Sequence, residues 1–214
     1  MKQRVIVTSL ALLAAALSFD PALGAYSRMS KSNPDWPCQQ ILVSHLSPAA
    51  MWTGPSIADA DKTSDPKIDD LAARLAQRRM PIAEAKTEID AFAKAAGADR
   101  QKKLTALFAA LFDKLDGERS QVIGGLVRFG HRQIDMAAKI RAENAKLHEV
   151  QDKSTAPDRA NDPSSPASVA AKKLQWDLRI FQDRHKTLSY VCEVPVVIEQ
   201  RLFALAQEIQ NNMN

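Results

Sequence analysis

The chain has 214 residues, with 29 basic against 25 acidic side chains, a net charge of +4 and two cysteines. That charge is too mild to argue for a nucleic-acid partner, and the length is enough for one domain with a real core. The basic pairs Arg78-Arg79, Lys102-Lys103 and Lys172-Lys173 are scattered among apolar helix positions and read as solvated faces.

The N-terminus reads as a secretory signal peptide over residues 1–24. Lys2 and Arg4 form a short positive region, Val5 to Leu17 is apolar apart from Thr8 and Ser9, and Asp20-Pro21 breaks any helix. Ala22-Leu23-Gly24 then places small residues before a cleavage point between Gly24 and Ala25. The apolar run is about 13 residues, short of the roughly 20 that span a bilayer as a helix. The expected location is the periplasm, with an inner-membrane anchor through an uncleaved N-terminus as the alternative. No second run of spanning length follows, so no transmembrane segment is expected after signal removal. In an oxidising compartment the isolated pair Cys38 and Cys192 reads as one structural disulfide. It closes a loop of about 155 residues, worth at most about 5 kcal/mol by the chain-entropy argument.

Residues 25–65 read as an extended arm, punctuated by Pro34, Pro37, Pro48, Gly54 and Pro55 yet rich in apolar side chains, with a short helix expected around Gln39–His45. A helical domain is expected over residues 66–214. Asp65 caps a helix opened by Pro66, with Ile68, Leu71, Ala72 and Leu75 on one face. Ile82, Ala85, Ile89, Phe92 and Ala96 mark a second helix, stopped by Gly97. Asp99 is expected to cap a third, carrying Leu104, Leu107, Phe108, Leu111 and Leu115 and ending near Gly117.

Two long heptad patterns complete the chain. One runs Val122, Leu126, Phe129, Gln133, Met136, Ile140, Glu143, Leu147 and Val150. The other runs Leu174, Leu178, Phe181, His185, Leu188, Cys192, Pro195, Glu199, Leu202, Ala206 and Ile209. A polar connector, residues 153–168, joins them, so they should fold back as an antiparallel α-hairpin. Pro195 is expected to kink or interrupt the last helix. The fold class is therefore all-α: a helical bundle with a long antiparallel α-hairpin and an irregular N-terminal arm tied by a disulfide.

Chemical motifs are sparse. Neither phosphate-binding glycine pattern occurs, nor G-x-S-x-G, nor C-x-x-C-H. Asp113, Asp116 and Gly117 do not match the spacing of a calcium loop. Gly124, Gly125 and Gly130 lie in a helical pattern and point to tight packing inside the bundle, or to close approach by a partner. Trp36, Trp52 and Trp176 are read as stapling the arm to the helices, with an aromatic ligand pocket as the other option. The best chemical candidate is His131, Asp135 and His185. His131 and Asp135 share a helix face, and a hairpin turning near residue 159 brings His131 level with residues 185–187. Such a cluster could hold a transition metal, or with Met136 a noncovalent haem; the plainer reading is a histidine satisfied by a carboxylate.

Asp35-Trp36-Pro37-Cys38 and Tyr190-Val191-Cys192-Glu193-Val194-Pro195, followed by Ile198-Glu199-Gln200-Arg201-Leu202, resemble uncharacterised exported bacterial helical proteins with similar patterns around two cysteines. The resemblance supports pairing of the cysteines and implies no activity. The expected role is a non-enzymatic periplasmic interaction or structural protein without a cofactor, its hairpin binding another envelope protein. The alternative is a small metal- or haem-binding protein built on the His/Asp cluster.

Overall fold

The structure, a computed structural model, describes residues 33–58, 60, 65–153 and 162–213. The signal peptide and cleavage point, with most of the connector, lie outside the described residues. Within them every regular element is helical: α1 Pro48–Met51, α2 Pro66–Ala76, α3 Ile82–Ala96, α4 Arg100–Asp152 and α5 Pro166–Asn211.

Local signals set most helix ends. The Asp65 carboxylate accepts the Lys67 amide at 2.9 Å and Pro66 occupies the first turn of α2. Gly97 stops α3 in a left-handed conformation, φ +58°, which glycine adopts without Cβ strain. A single 3-10 turn, Gly97–Asp99, leads into α4; Asp99 sits at its cap position without a side-chain hydrogen bond to it. Ser165 caps α5, accepting the Ser168 amide at 3.2 Å, and Pro166 opens the helix, so the connector ends three residues earlier than expected.

Three local expectations are overturned. No helix forms over Gln39–His45; the α-helical turn of the arm comes later, at α1. Gly117 does not end a helix, and α4 continues for 53 residues, about 80 Å at 1.5 Å per residue. Pro195 does not interrupt α5, which runs unbroken across it. Tertiary contacts explain the last two. Beside Gly117, Asp116 accepts the Leu46 amide at 2.7 Å and Arg119 donates to the Val43 carbonyl at 2.8 Å, so the arm holds the turn helical from outside. Beside Pro195, the turn is clamped by the Cys38–Cys192 disulfide and by Gln40, whose side chain donates to the Cys192 carbonyl at 2.6 Å.

The main core sits at the base of the hairpin. Leu71 and Leu75 of α2, Ala85 and Ile89 of α3, Leu104 to Leu115 of α4, and Ile198 to Ile209 of α5 are buried together. Trp52 stacks on Phe108 with ring centroids 4.2 Å apart, and its Nε1 donates to the Pro55 carbonyl at 2.7 Å. A second cluster surrounds the disulfide: Cys38, Leu126, Leu188 and Cys192, with Trp36 and Phe129 against it. Trp36 and Trp52 thus staple the arm, as expected, whereas Trp176 is exposed and touches neither core.

Beyond the second cluster the buried set thins to Gly130 and Leu147 on α4 and Leu174 and Asp177 on α5. Here the seam is partly ionic. Lys139 pairs with Asp177 at 2.9 Å and with Glu143 at 3.8 Å, while Lys173 pairs with Glu143 and with Asp177 at 3.3 Å. Opposite charges alternate around this ring, so sliding one helix by a turn would leave them unpaired, a device for setting register. The α5 seam also differs from the expected heptad, because Leu178 and His185 are exposed and Asp177 turns inward. A straight helix drifts about 20° per heptad, enough to rotate these positions off the contact line.

Candidate functional site

His131 and Asp135 meet, but their main partner comes from the arm. His131 Nδ1 lies 3.2 Å from Asp35 Oδ1, and Nε2 lies 3.5 Å from Asp135 Oδ2. The hydrogen bond to Asp35, reinforced by the charges of Asp135 and Asp35, raises the His131 pKa above its ordinary value. The hairpin register, marked by Lys139 against Asp177 and Glu143 against Lys173, brings His131 level with about residue 185. His185, however, is exposed on α5. Among the described residues no group of three or more His, Cys, Asp or Glu side chains could hold a metal ion. His131 is instead a charge-paired latch between the arm and α4.

Gly130 explains how the arm comes so close. A Cβ there would fall on the Asp35 carbonyl oxygen and lie 3.1 Å from the Pro37 ring. Gly124 and Gly125 differ: a Cβ would meet only the mobile end of Arg128, at 3.3 and 3.9 Å. Packing within the chain accounts for Gly130 and not for Gly124 or Gly125.

Two surface features were not singled out from the sequence. One is an apolar groove of about 520 Å³ between the hairpin helices, walled by Val122, Gly125, Leu126, Phe129 and Arg132 on α4 and by Asp183, Arg184, Thr187, Leu188 and Val191 on α5. The other is a stripe on the outer face of α5. Val169, Trp176, Tyr190 and Val197 are 55, 63, 78 and 46 % exposed. They fall at intervals of seven or fourteen residues, so they share one slowly winding face. Lys172, Arg179 and Lys186 flank it and are exposed. The signal was present in the sequence as a second heptad, masked by the stronger apolar heptad of the seam.

The geometry defines a disulfide-tied all-α protein, a long helical hairpin with a docked arm. Comparison with known protein families, with curated proteins and with solved structures finds no match to this chain. Among the described residues no helix is long and apolar enough to cross a membrane.

Proposed function

We propose that this is an exported interaction protein whose hairpin binds a helix of another envelope protein along the outer face of α5. The observation that carries the reading is the pair Trp176 and Tyr190, both exposed and two heptads apart on one face. A buried seam alone requires no such pair. Trp and Tyr are the side chains most enriched at binding hot spots, because each desolvates a large rigid surface at low entropy cost. A heptad-spaced stripe winds left-handed about a straight helix, which suits a partner helix wrapping as in a coiled coil. The flanking Lys172, Arg179 and Lys186 outnumber Asp183, the acid that Arg179 and Lys186 face on this helix, and so favour a partner with acidic positions beside its apolar ones.

Export is supported by the leader-like N-terminus and by the disulfide, which persists in oxidising compartments. The test is site-specific photo-cross-linking in the native host, with a benzophenone side chain at 176, at 190 and, as control, at exposed position 84. The expected result is one common protein adduct from 176 and 190 that is absent from 84. No adduct, or the same adducts from all three positions, would overturn the reading.

A further inference from the structure

The groove between α4 and α5 borders the outer stripe at Asp183, which stands at the heptad position between Trp176 and Tyr190. It shares none of the stripe's four apolar residues, and its lining has a polarity of its own. Val122, Leu126, Phe129, Leu188 and Val191 make an apolar floor, and Gly125 widens it by presenting no side chain. Arg132 on one wall and Arg184 on the other add two guanidinium groups, and the Arg128 guanidinium lies over Gly124 and Gly125 beside them. Neighbouring charges are matched: Lys139 with Asp177, Lys173 with Glu143, and His131 with Asp35 and Asp135. Asp183, also in the lining, is faced by Arg179 at 4.0 Å and Lys186 at 3.7 Å. Among the described residues Arg128, Arg132 and Arg184 have no carboxylate partner within ion-pair distance; the Arg184 guanidinium reaches only the Met136 sulfur. Arg132 and Arg184 are thus like charges in an apolar slot whose one carboxylate, Asp183, is occupied by Arg179 and Lys186, and an anion between the two guanidinium groups would relieve their repulsion.

We propose that this groove is a binding site for a single-chain amphiphile with an anionic head, its acyl chain on the Val122–Leu126–Phe129–Leu188–Val191 floor and its carboxylate or phosphate between Arg132 and Arg184. The volume lies within the range of small-ligand sites, about 300 to 1,000 Å³. From Val122 to Arg132 the groove runs about 15 Å along α4, the reach of a medium-length acyl chain and short for docking a helix face. Guanidinium forks match both carboxylate and phosphate oxygens. Gly125 then has a reason that packing within the chain does not supply, because a side chain there would occupy the slot.

The experiment is calorimetric titration of the full chain, oxidised, below the micelle concentration of each probe. Laurate and lysophosphatidylglycerol test the anionic head, and dodecyltrimethylammonium tests the same kind of tail with the opposite charge. Saturable 1:1 binding of at least one anionic probe, with none of the cation, is expected; the tighter anion identifies the head as carboxylate or phosphate. The double variant R132Q/R184Q should weaken that binding at least tenfold, and G125V should abolish it, both with unchanged helical circular dichroism and melting. R184K, which keeps charge without the fork, serves as a second variant should G125V fold poorly, and an intermediate loss is expected. Absence of saturable binding, equal binding of the cationic probe, or indifference to R132Q/R184Q would overturn the proposal. So would loss of the α5 cross-linked protein adduct on G125V with laurate binding intact, because the groove would then belong to the protein partner.

Discussion

The Gln40 side chain donates to the Cys192 carbonyl at 2.6 Å, next to the carbonyl that Pro195 deprives of its usual helical donor. Gln40 is itself held beside Trp36, whose Nε1 donates to the Gln40 carbonyl at 2.6 Å. The weakest turn of α5 is thus braced by the arm through a covalent bond and a hydrogen bond two residues apart on the arm. Gln40→Ala should cost about 1 kcal/mol in denaturant unfolding with the disulfide intact, the ordinary net worth of one such bond.

Breaking the disulfide should cost more. The bond links residues 154 apart in sequence, and native disulfides typically contribute about 2 to 4 kcal/mol, with about 5 as the entropic ceiling here. Unfolding by urea of the Cys38→Ala/Cys192→Ala variant against the parent measures it. Amide exchange should quicken first in the arm and around Pro195.

Arg201 is a buried cation that binds carbonyls rather than a carboxylate. Its Nε donates to the Leu75 carbonyl at 2.8 Å and its Nη1 to the Met80 carbonyl at 2.9 Å, tying the end of α2 and the loop after it to α5. Burial pushes its pKa down, but an arginine stays charged at any ordinary pH. Arg201→Leu should destabilise by about 3 kcal/mol, since one buried and one half-buried carbonyl lose charged donors. Arg201→Lys should recover part of that loss, because one ammonium cannot span both acceptors. Thermal melts of the two variants check the order.

The His131 latch carries a pH signature. Its pKa is raised in the folded state, so its contribution is fully present below the ordinary value of about 6.5 and is lost as pH rises through the higher folded value. Arm protection, read by amide exchange near Asp35, should fall as pH rises from about 5.5 to 8. His131→Gln should flatten that dependence without altering the base of the bundle.

The two glycine environments predict opposite signs. Gly130→Ala should destabilise the arm by about 2 kcal/mol or more, because its methyl group would fall on the Asp35 carbonyl. Gly124→Ala should stabilise α4 by up to about 1 kcal/mol, since only the flexible Arg128 must move. Chemical denaturation of the two variants side by side decides it.

Much of the fold was legible because it rests on short-range signals. Asp65-Pro66, the spacing of Ile68, Leu71, Ala72 and Leu75, and the stop at Gly97 are satisfied within one or two turns of the residues that encode them. The two surfaces were harder to read. The stripe through Trp176 and Tyr190 shares its period with the seam, and periodicity alone does not say which of two heptads on one helix is buried. His185 was placed at the right level of the hairpin but on the wrong side of α5, since level follows from loop length and rotation follows from packing.

By itself, the sequence determined the all-α class, the hairpin and its register, and the pairing of Cys38 with Cys192, because helix period, connector length and cysteine count each leave few choices. Only the tertiary structure decided that Gly117 and Pro195 lie inside unbroken helices, that the arm occupies the space at Gly130, and that Arg132 and Arg184 face one groove without a carboxylate partner among the described residues. Each of these depends on residues far apart in the chain, whose contacts outweigh local preferences of about 1 to 3 kcal/mol.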